Sequence, residues 1–318
     1  MSYTTIEITE VGPPEYPLIQ VLRDSIFAAY NHRLSSTFIE QSEGKQDLIA
    51  LIAHLEGNPV GYKVGYRESP GVFYSWTGGV LPDYRSQGLA RRLQEHQHSM
   101  LRARSYRAVL FTTFNKFREM LLFGLSTGFV PIGLELKIEN EIAIKFRKDL
   151  TQPEPARLPR LLPVAVHVES VSPNYHGLIA DLCARSYRPA TEEQIDRELT
   201  GANGVALVAY VDGQPAGFVV GRSRSGGESA FGPPTFDIRL IGVDAAHQRR
   251  GIGTALLARQ REFARATGHT VVRMMVPNTH SAALRLAIRN GFNITGMSHR
   301  DEPRGPFEVE LQSARDQE

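Results

Sequence analysis

Apolar and polar positions repeat with the same spacing in the two halves of the chain. In the second half, Tyr175 to Ser186 carries a helical apolar stripe, and Thr191 to Leu199 reads as a short helix with Thr191 as N-cap before Glu192 and Glu193. Val205 to Val211 is an apolar strand. Asp212-Gly213-Gln214-Pro215 is a turn, and Ala216 to Arg222 is the returning strand. Phe236 to Val243 is a further strand, followed by the loop His247 to Gly253. Ile252, Ala255, Leu256 and Phe263 then lie on one face of a helix that ends near Gly268. Thr270 to Val276 is a β-branched strand, Ser281 to Arg289 a helix, and Phe292 opens a last strand pair. Hairpins mixed with a β-α-β crossover predict a mixed α/β sheet with helices on both sides.

The first half repeats this pattern. An offset of 163 places Val80 on Val243, Gly88 on Gly251, Leu93 on Leu256, Asn115 on Asn278 and Gly128-Phe129 on Gly291-Phe292. Upstream, residues 54–65 match 210–221 at an offset of 156. The difference falls in the Gly/Ser/Pro stretch Arg222 to Pro234, where extra loop residues cost little. Two copies of a whole domain point to tandem duplication. Thr151 to Val164 holds four prolines, which block helix and favour extended chain. The expected organisation is one domain over 1–150, a linker over 151–164 and a second domain over 165–318.

Composition narrows the function. The 318 residues carry 36 basic and 34 acidic side chains, divided evenly between the halves. No nucleic-acid surface is indicated. No apolar run reaches membrane-spanning length and no signal segment is visible, so a cytoplasmic protein is expected. The single cysteine, Cys183, reads as a core residue on a helix. His96 and His98, two apart on a helix, do not share a face and read as solvated surface. Tyr74 and Trp76 share one side of a strand.

The chemistry lies in the loop Gln248-Arg249-Arg250-Gly251-Ile252-Gly253, between a strand and a helix. A helix start offers free N–H groups and partial positive charge, and glycines let an anion approach them. The first copy reads Arg85-Ser86-Gln87-Gly88-Leu89-Ala90. Both are phosphate or pyrophosphate sites in outline, without the Gly-Lys-Ser/Thr of a P-loop.

With these loops, and with Asn and then Gly-Phe at matched distances after them, the sequence resembles the GCN5-related N-acetyltransferases in tandem form. The family pattern Gln/Arg-x-x-Gly-x-Gly/Ala is met by Gln248, Gly251 and Gly253, and by Arg85, Gly88 and Ala90. The resemblance implies two acyl-CoA N-acyltransferase domains and the cofactor acetyl-CoA or another acyl-CoA. It places the pyrophosphate on Gln248, Arg249, Arg250, Gly251, Gly253 and Thr254, and the pantetheine arm along Ile241 and Val243. Asn278 belongs to the same set. Val80, Arg85, Gln87, Gly88, Ala90 and Asn115 are the first-half counterparts. It further implies direct transfer to an amine of a small molecule or peptide, with Asp237 at the position of the general base. The tyrosine that many members place four residues before Gly-Phe is Ala287 here, and Gly124 in the first half. A thiol of pKa about 8.5 leaves without such help. The second half, with both glycines, two arginines and Asp237, is the expected catalytic half. A non-catalytic acyl-CoA sensor is the alternative class. A tandem relative of the mycothiol synthase type is a further one, although no residue singles it out.

Overall fold

The computed structural model describes residues 5–28, 37–137, 141–156, 161–171, 175–186, 192–199, 204–224, 233–299 and 307–313. Thr191, linker residues 157–160 and insertion residues 225–232 lie outside them.

The first repeat contains β1 (Ile6–Val11), α1 (Tyr16–Ala28), α2 (Phe38–Ser42), β2 (Ile49–Leu55), β3 (Asn58–Ser69), β4 (Val72–Val80), α3 (Leu89–Ala103), β5 (Ala108–Phe114), α4 (Arg118–Ser126), β6 (Val130–Leu136) and β7 (Ile142–Asp149). The second contains β8 (His167–Val171), α5 (His176–Ser186), α6 (Glu192–Leu199), β9 (Gly204–Val211), β10 (Gln214–Ser223), β11 (Thr235–Val243), α7 (Ile252–Ala266), β12 (Val271–Pro277), α8 (Ser281–Arg289), β13 (Phe292–His299) and β14 (Phe307–Ser313). Each repeat forms a seven-stranded sheet, in the orders β1-β2-β3-β4-β5-β7-β6 and β8-β9-β10-β11-β12-β14-β13. The orders correspond strand for strand, as duplication requires.

Local chemistry explains the elements. Asp212 and Gly213 sit at φ 50° and 74°, and Glu56 and Gly57 at 51° and 81°. Two left-handed residues give the hairpin turn whose twist matches its strands. Helix α7 buries Ile252, Leu256, Leu257, Gln260 and Ala264, the 3.6-residue stripe expected of it. Helices α1 and α2 bury Ile19, Leu22, Ile26 and Phe38 against Tyr62 and Val64 of β3. Helices α5 and α6 bury Ile179, Leu182, Cys183 and Ile195 against Phe218 and Val220 of β10. Each small hydrophobic cluster of this kind contributes several kcal/mol at about 25 cal/mol per Å² buried.

The compact units do not follow the repeat boundary. One comprises Met1–Thr112 with Lys145–Glu154, the other Thr113–Ile144 with Pro155–Glu318. The end of the first repeat packs with the second because α4 lies against α8 and β6 touches β13. The contacts inside this second unit are reciprocal. Asn115 Nδ2 donates to the Ile294 carbonyl at 2.8 Å, and the Ile294 N–H donates to Asn115 Oδ1 at 2.9 Å. Asn278, the equivalent of Asn115, donates from Nδ2 to the carbonyl of Pro131, the equivalent of Ile294, at 3.0 Å. Proline has no N–H, so the return bond is missing, and Asn278 Oδ1 is buried without a hydrogen-bond partner.

His98 departs from the expectation of a solvated surface. It is 1% exposed, with Nδ1 3.4 Å from Glu154 Oε1. Lys148 also bonds Glu154 and is buried. Helix α3 turns His98 inward because the next residue in the stripe after Gln94 and Gln97 shares their side. Burial lowers the His98 imidazole from 6.5 to about 4, against the pull of the Glu154 bond and helped by the charges of Lys148 and Lys63.

Candidate acyl-CoA sites

The strands β4 and β5 run parallel and pair only at Val72↔Ala108, Phe73↔Val109 and Tyr74↔Leu110. Beyond Tyr74 they part. Strands β11 and β12 pair at Thr235↔Val271 through Ile238↔Met274 and then part in the same way. Each opening leaves backbone groups on β4 and β11 without a strand partner on that side, and these must bond elsewhere. A bulge starts each opening. On β3 and β4 the register jumps between Val64↔Thr77 and Gly65↔Ser75, leaving Trp76 extra. On β10 and β11 it jumps between Val220↔Leu240 and Gly221↔Ile238, leaving Arg239 extra. Bulges bend the strand that bears them, which is what an opening needs.

The loops that follow have one backbone path. Arg85 and Gln248 are extended, at φ −69° and −61°. Ser86 and Arg249 are left-handed, at φ 62° and 65°, and so are Gly88 and Gly251, at φ 82° and 93°. The first side chain of each loop ties it to its strand. Arg85 Nε donates to the Val80 carbonyl, and Gln248 Nε2 donates to the Val243 carbonyl, both at 3.1 Å. Left-handed residues alternating with others turn successive N–H groups to one side, forming an anion-binding concavity. The first intrahelical bonds are Arg92 N–H to Gly88 and Ala255 N–H to Gly251. The amides of residues 89–91 and 252–254 therefore have no partner within their own helices. Gln87, Gly88 and Ala90 are exposed in the first loop, and Arg249, Gly251 and Thr254 in the second. The second loop also touches the linker. Val164 N–H donates to the Arg250 carbonyl at 3.2 Å, and Pro163 lies 4.0 Å from where a Gly251 Cβ would stand.

Several expected site residues have other tasks. Gly253 admits helix α8, because a Cβ there would lie 2.9 Å from Leu286 Cδ2. Thr254 Oγ1 faces Asn290 Nδ2 at 3.4 Å. Asn115 and Asn278 hydrogen-bond Ile294 and Pro131, as described above. Ile241 and Val243 are half-buried on β11, paired with Val219 and Gly217 on its other edge.

Asp237, at the position expected for the base, is held in an ion pair. It lies on the paired part of β11, two residues before the bulge, and is 8% exposed. Arg273 grips it at both oxygens, Nε to Oδ1 and Nη2 to Oδ2, each at 2.8 Å. The two residues are direct partners in the β11/β12 register. A guanidinium fork of this kind gives each carboxylate oxygen a charge-assisted hydrogen bond. The same side of the second repeat is tied again at the bulge, where Arg239 bonds Glu198 at 2.8 and 3.3 Å. The positions of the absent tyrosine, Gly124 and Ala287, are buried in α4 and α8.

The equivalent side of the first repeat is aromatic. Trp76 stacks on Phe38 at 5.6 Å between centroids, and Tyr66 meets Trp76 at 6.1 Å and Tyr74 at 5.6 Å. Lys45 Nζ stands 3.8 Å from the Tyr66 centroid and 5.1 Å from that of Trp76. Arg23 reaches the same indole from α1, and its convergence there with Lys45 has no local signal in the sequence, whereas Tyr74 and Trp76 do share one side of a strand pattern.

No group of three or more metal-ligating side chains is assembled among the described residues. None of their helices is long and apolar enough to cross a membrane.

Comparison with known proteins agrees with the duplicated architecture. The model of the acetyltransferase (GNAT) family matches residues 16–120 and again 173–292. The N-alpha-acetyltransferase RimI of Mycobacterium tuberculosis is 35% identical over 91 residues, covering 29% of this chain and 56% of that relative. The ribosomal-protein-S18-alanine N-acetyltransferase of Escherichia coli is similar in structure, at 17% identity and a TM-score of 0.41, covering 48% of this chain and 96% of that one. Arabidopsis thaliana NAA60, solved in complex with acetyl-CoA, is similar at 16% identity and a TM-score of 0.39, covering 46% and 97%. Matched by its family model over both repeats, and so over more than half its length, the chain belongs to the acetyltransferase (GNAT) family.

Proposed function

We propose that the protein is an N-acyltransferase that moves an acetyl group from acetyl-CoA directly to the amine of an acceptor. The observation that carries this reading is the pair of loops with the same left-handed path, each leading from an opened parallel strand pair into a helix N-terminus. Each loop offers amides and left-handed turns to a pyrophosphate, and each opening offers unpaired strand edge to a pantetheine arm. Holding thioester and amine together supplies most of the rate gain.

The first repeat is the transferring half. Its opening faces an aromatic wall with two cations, whereas in the second repeat Asp237 and Arg239 already hold Arg273 and Glu198. The second repeat holds acyl-CoA and supports the unit into which the end of the first is packed. This favours a division of labour in which one repeat has sensor character and the other transfers.

The attacking amine must be neutral, and no carboxylate takes Asp237's place as base in this reading. The rate is then expected to rise with pH up to the pKa of the acceptor amine. The test is release of free CoA thiol from acetyl-CoA, followed against a panel of primary amines. Amine-dependent release that Gly88→Asp reduces more than Gly251→Asp is the expected result. Release that no amine accelerates would end the reading.

A further inference from the structure

Arg23 is 4% exposed in the middle of α1. Its Nη2 donates to Gln41 Oε1 at 2.9 Å. The N–H groups on Nε and Nη1 are buried and have no hydrogen-bond partner. Asp24, the adjacent carboxylate, accepts from Gln20 Nε2 at 2.7 Å. A guanidinium sealed from water with donors unspent is costly unless something else binds there. Burial accordingly lowers its pKa.

The duplication shows that the fold does not require this charge. At an offset of 160, Ile19 matches Ile179, Leu22 matches Leu182, and Arg23 matches Cys183. Both isoleucine–leucine pairs sit in the equivalent cores. Where the second repeat fills the place with a buried thiol, the first places a cation. That cation lies against the opening. Its guanidinium carbon is 5.9 Å from the centroid of Trp76, the bulge residue at the start of the β4/β5 parting, and Lys45 approaches the same indole.

We propose that the acceptor of the first repeat is a small amine bearing a carboxylate, of the amino-acid class with an apolar or aromatic body, and that Arg23 binds that carboxylate beside Trp76. The proposal rests on the acyltransferase reading above and names its substrate class. A carboxylate accepts from the planar guanidinium as a charge-assisted bond, and Lys45 adds to the attraction. The ring of Trp76, with Tyr66 beside it, gives the body of the acceptor an apolar surface. Because amine and carboxylate are one carbon apart in an α-amino acid, anchoring the acid at the opening holds the amine there too.

The test is calorimetric titration of the full chain, saturated with CoA, with phenylalanine and leucine and with their primary amides. The amides keep the amine and the body but lose the charge, as the N-terminal residue of a peptide does. Each acid is expected to bind at least tenfold more tightly than its amide. Arg23→Met should weaken the acids tenfold or more, leave the amides within about twofold, and melt no lower than the wild type without ligand, since an unbranched apolar chain replaces the arginine stem and leaves no buried donor unpaired. Arg23→Lys keeps charge without the fork and should keep part of the preference. Equal binding of acid and amide, binding of neither, or a preference that survives in Arg23→Met would overturn the proposal. If the wild type binds CoA in the same instrument and fails these comparisons, the substrate class falls alone. If it does not bind CoA at all, the acyltransferase reading falls with it.

Discussion

Asp237 shows how a residue's task is set by its partner across a sheet. Along the chain it is an acid in a strand that leads to a cofactor loop. Across the sheet it is the register partner of Arg273, 36 residues on, and both of its oxygens are taken. The pair is largely buried, with side chains 12% and 18% exposed. Asp237→Asn leaves a buried guanidinium with a weaker acceptor, and Glu310 stands 3.7 Å away as a partial substitute. The expected loss is about 2–3 kcal/mol in denaturant unfolding, below the usual cost of a broken buried pair. If Asp237 is instead the base, the variant should keep its stability and lose turnover. His98 gives a second residue-scale prediction. Its folded pKa of about 4 lies below its unfolded 6.5, so between those values the unfolded chain binds the extra proton. Stability is then full above about pH 6.5 and falls towards pH 4, by about 3 kcal/mol in the limit. His98→Gln should flatten that limb in pH-dependent melting. An unchanged slope would mean that His98 protonates in place.

Among elements, the reciprocal contacts of β6 and β13 allow a comparison that duplication sets up as an internal control. Asn115 and Asn278 are equivalent, yet one makes two bonds to Ile294 and the other makes one to Pro131. Removing Asn115 strands a backbone donor and acceptor, for a loss of about 2–3 kcal/mol. Removing Asn278 strands one carbonyl and relieves a buried oxygen, for about 1 kcal/mol or less. Chemical denaturation of Asn115→Ala and Asn278→Ala checks the order, and equal losses would show that the second bond contributes nothing. The elements themselves were legible in the sequence. The 3.6-residue stripe fixed α7, and Asp212-Gly213 fixed the hairpin, because both signals are local. The hydrogen bonds of the two asparagines were not legible, because their partners lie 179 and 147 residues away and no local pattern encodes such pairings. The close approach of Leu286 to Gly253 was equally hidden. A glycine signals a close approach without saying of what.

At the scale of the molecule, the repeat was visible in the sequence because two copies of one pattern reinforce each other. The packing boundary was not, because it depends on which outer faces of α4 and β6 find partners in α8 and β13. Duplication also lets the halves diverge. The second repeat keeps the glycines and arginines of its loop but ties up the polar groups at its opening, and the first keeps an aromatic opening with Arg23 and Lys45. What both keep is the loop. The most direct test of the account is therefore calorimetric titration of acetyl-CoA into the wild type, Gly88→Asp and Gly251→Asp. A carboxylate at either glycine meets both a left-handed backbone and the bound pyrophosphate, which should weaken that site by well over tenfold, or more than about 1.4 kcal/mol. Two molecules are expected to bind per wild-type chain and one per chain in each variant, all three proteins remaining folded. Wild-type binding retained in both variants, or no binding of acetyl-CoA to the wild type, would contradict this expectation.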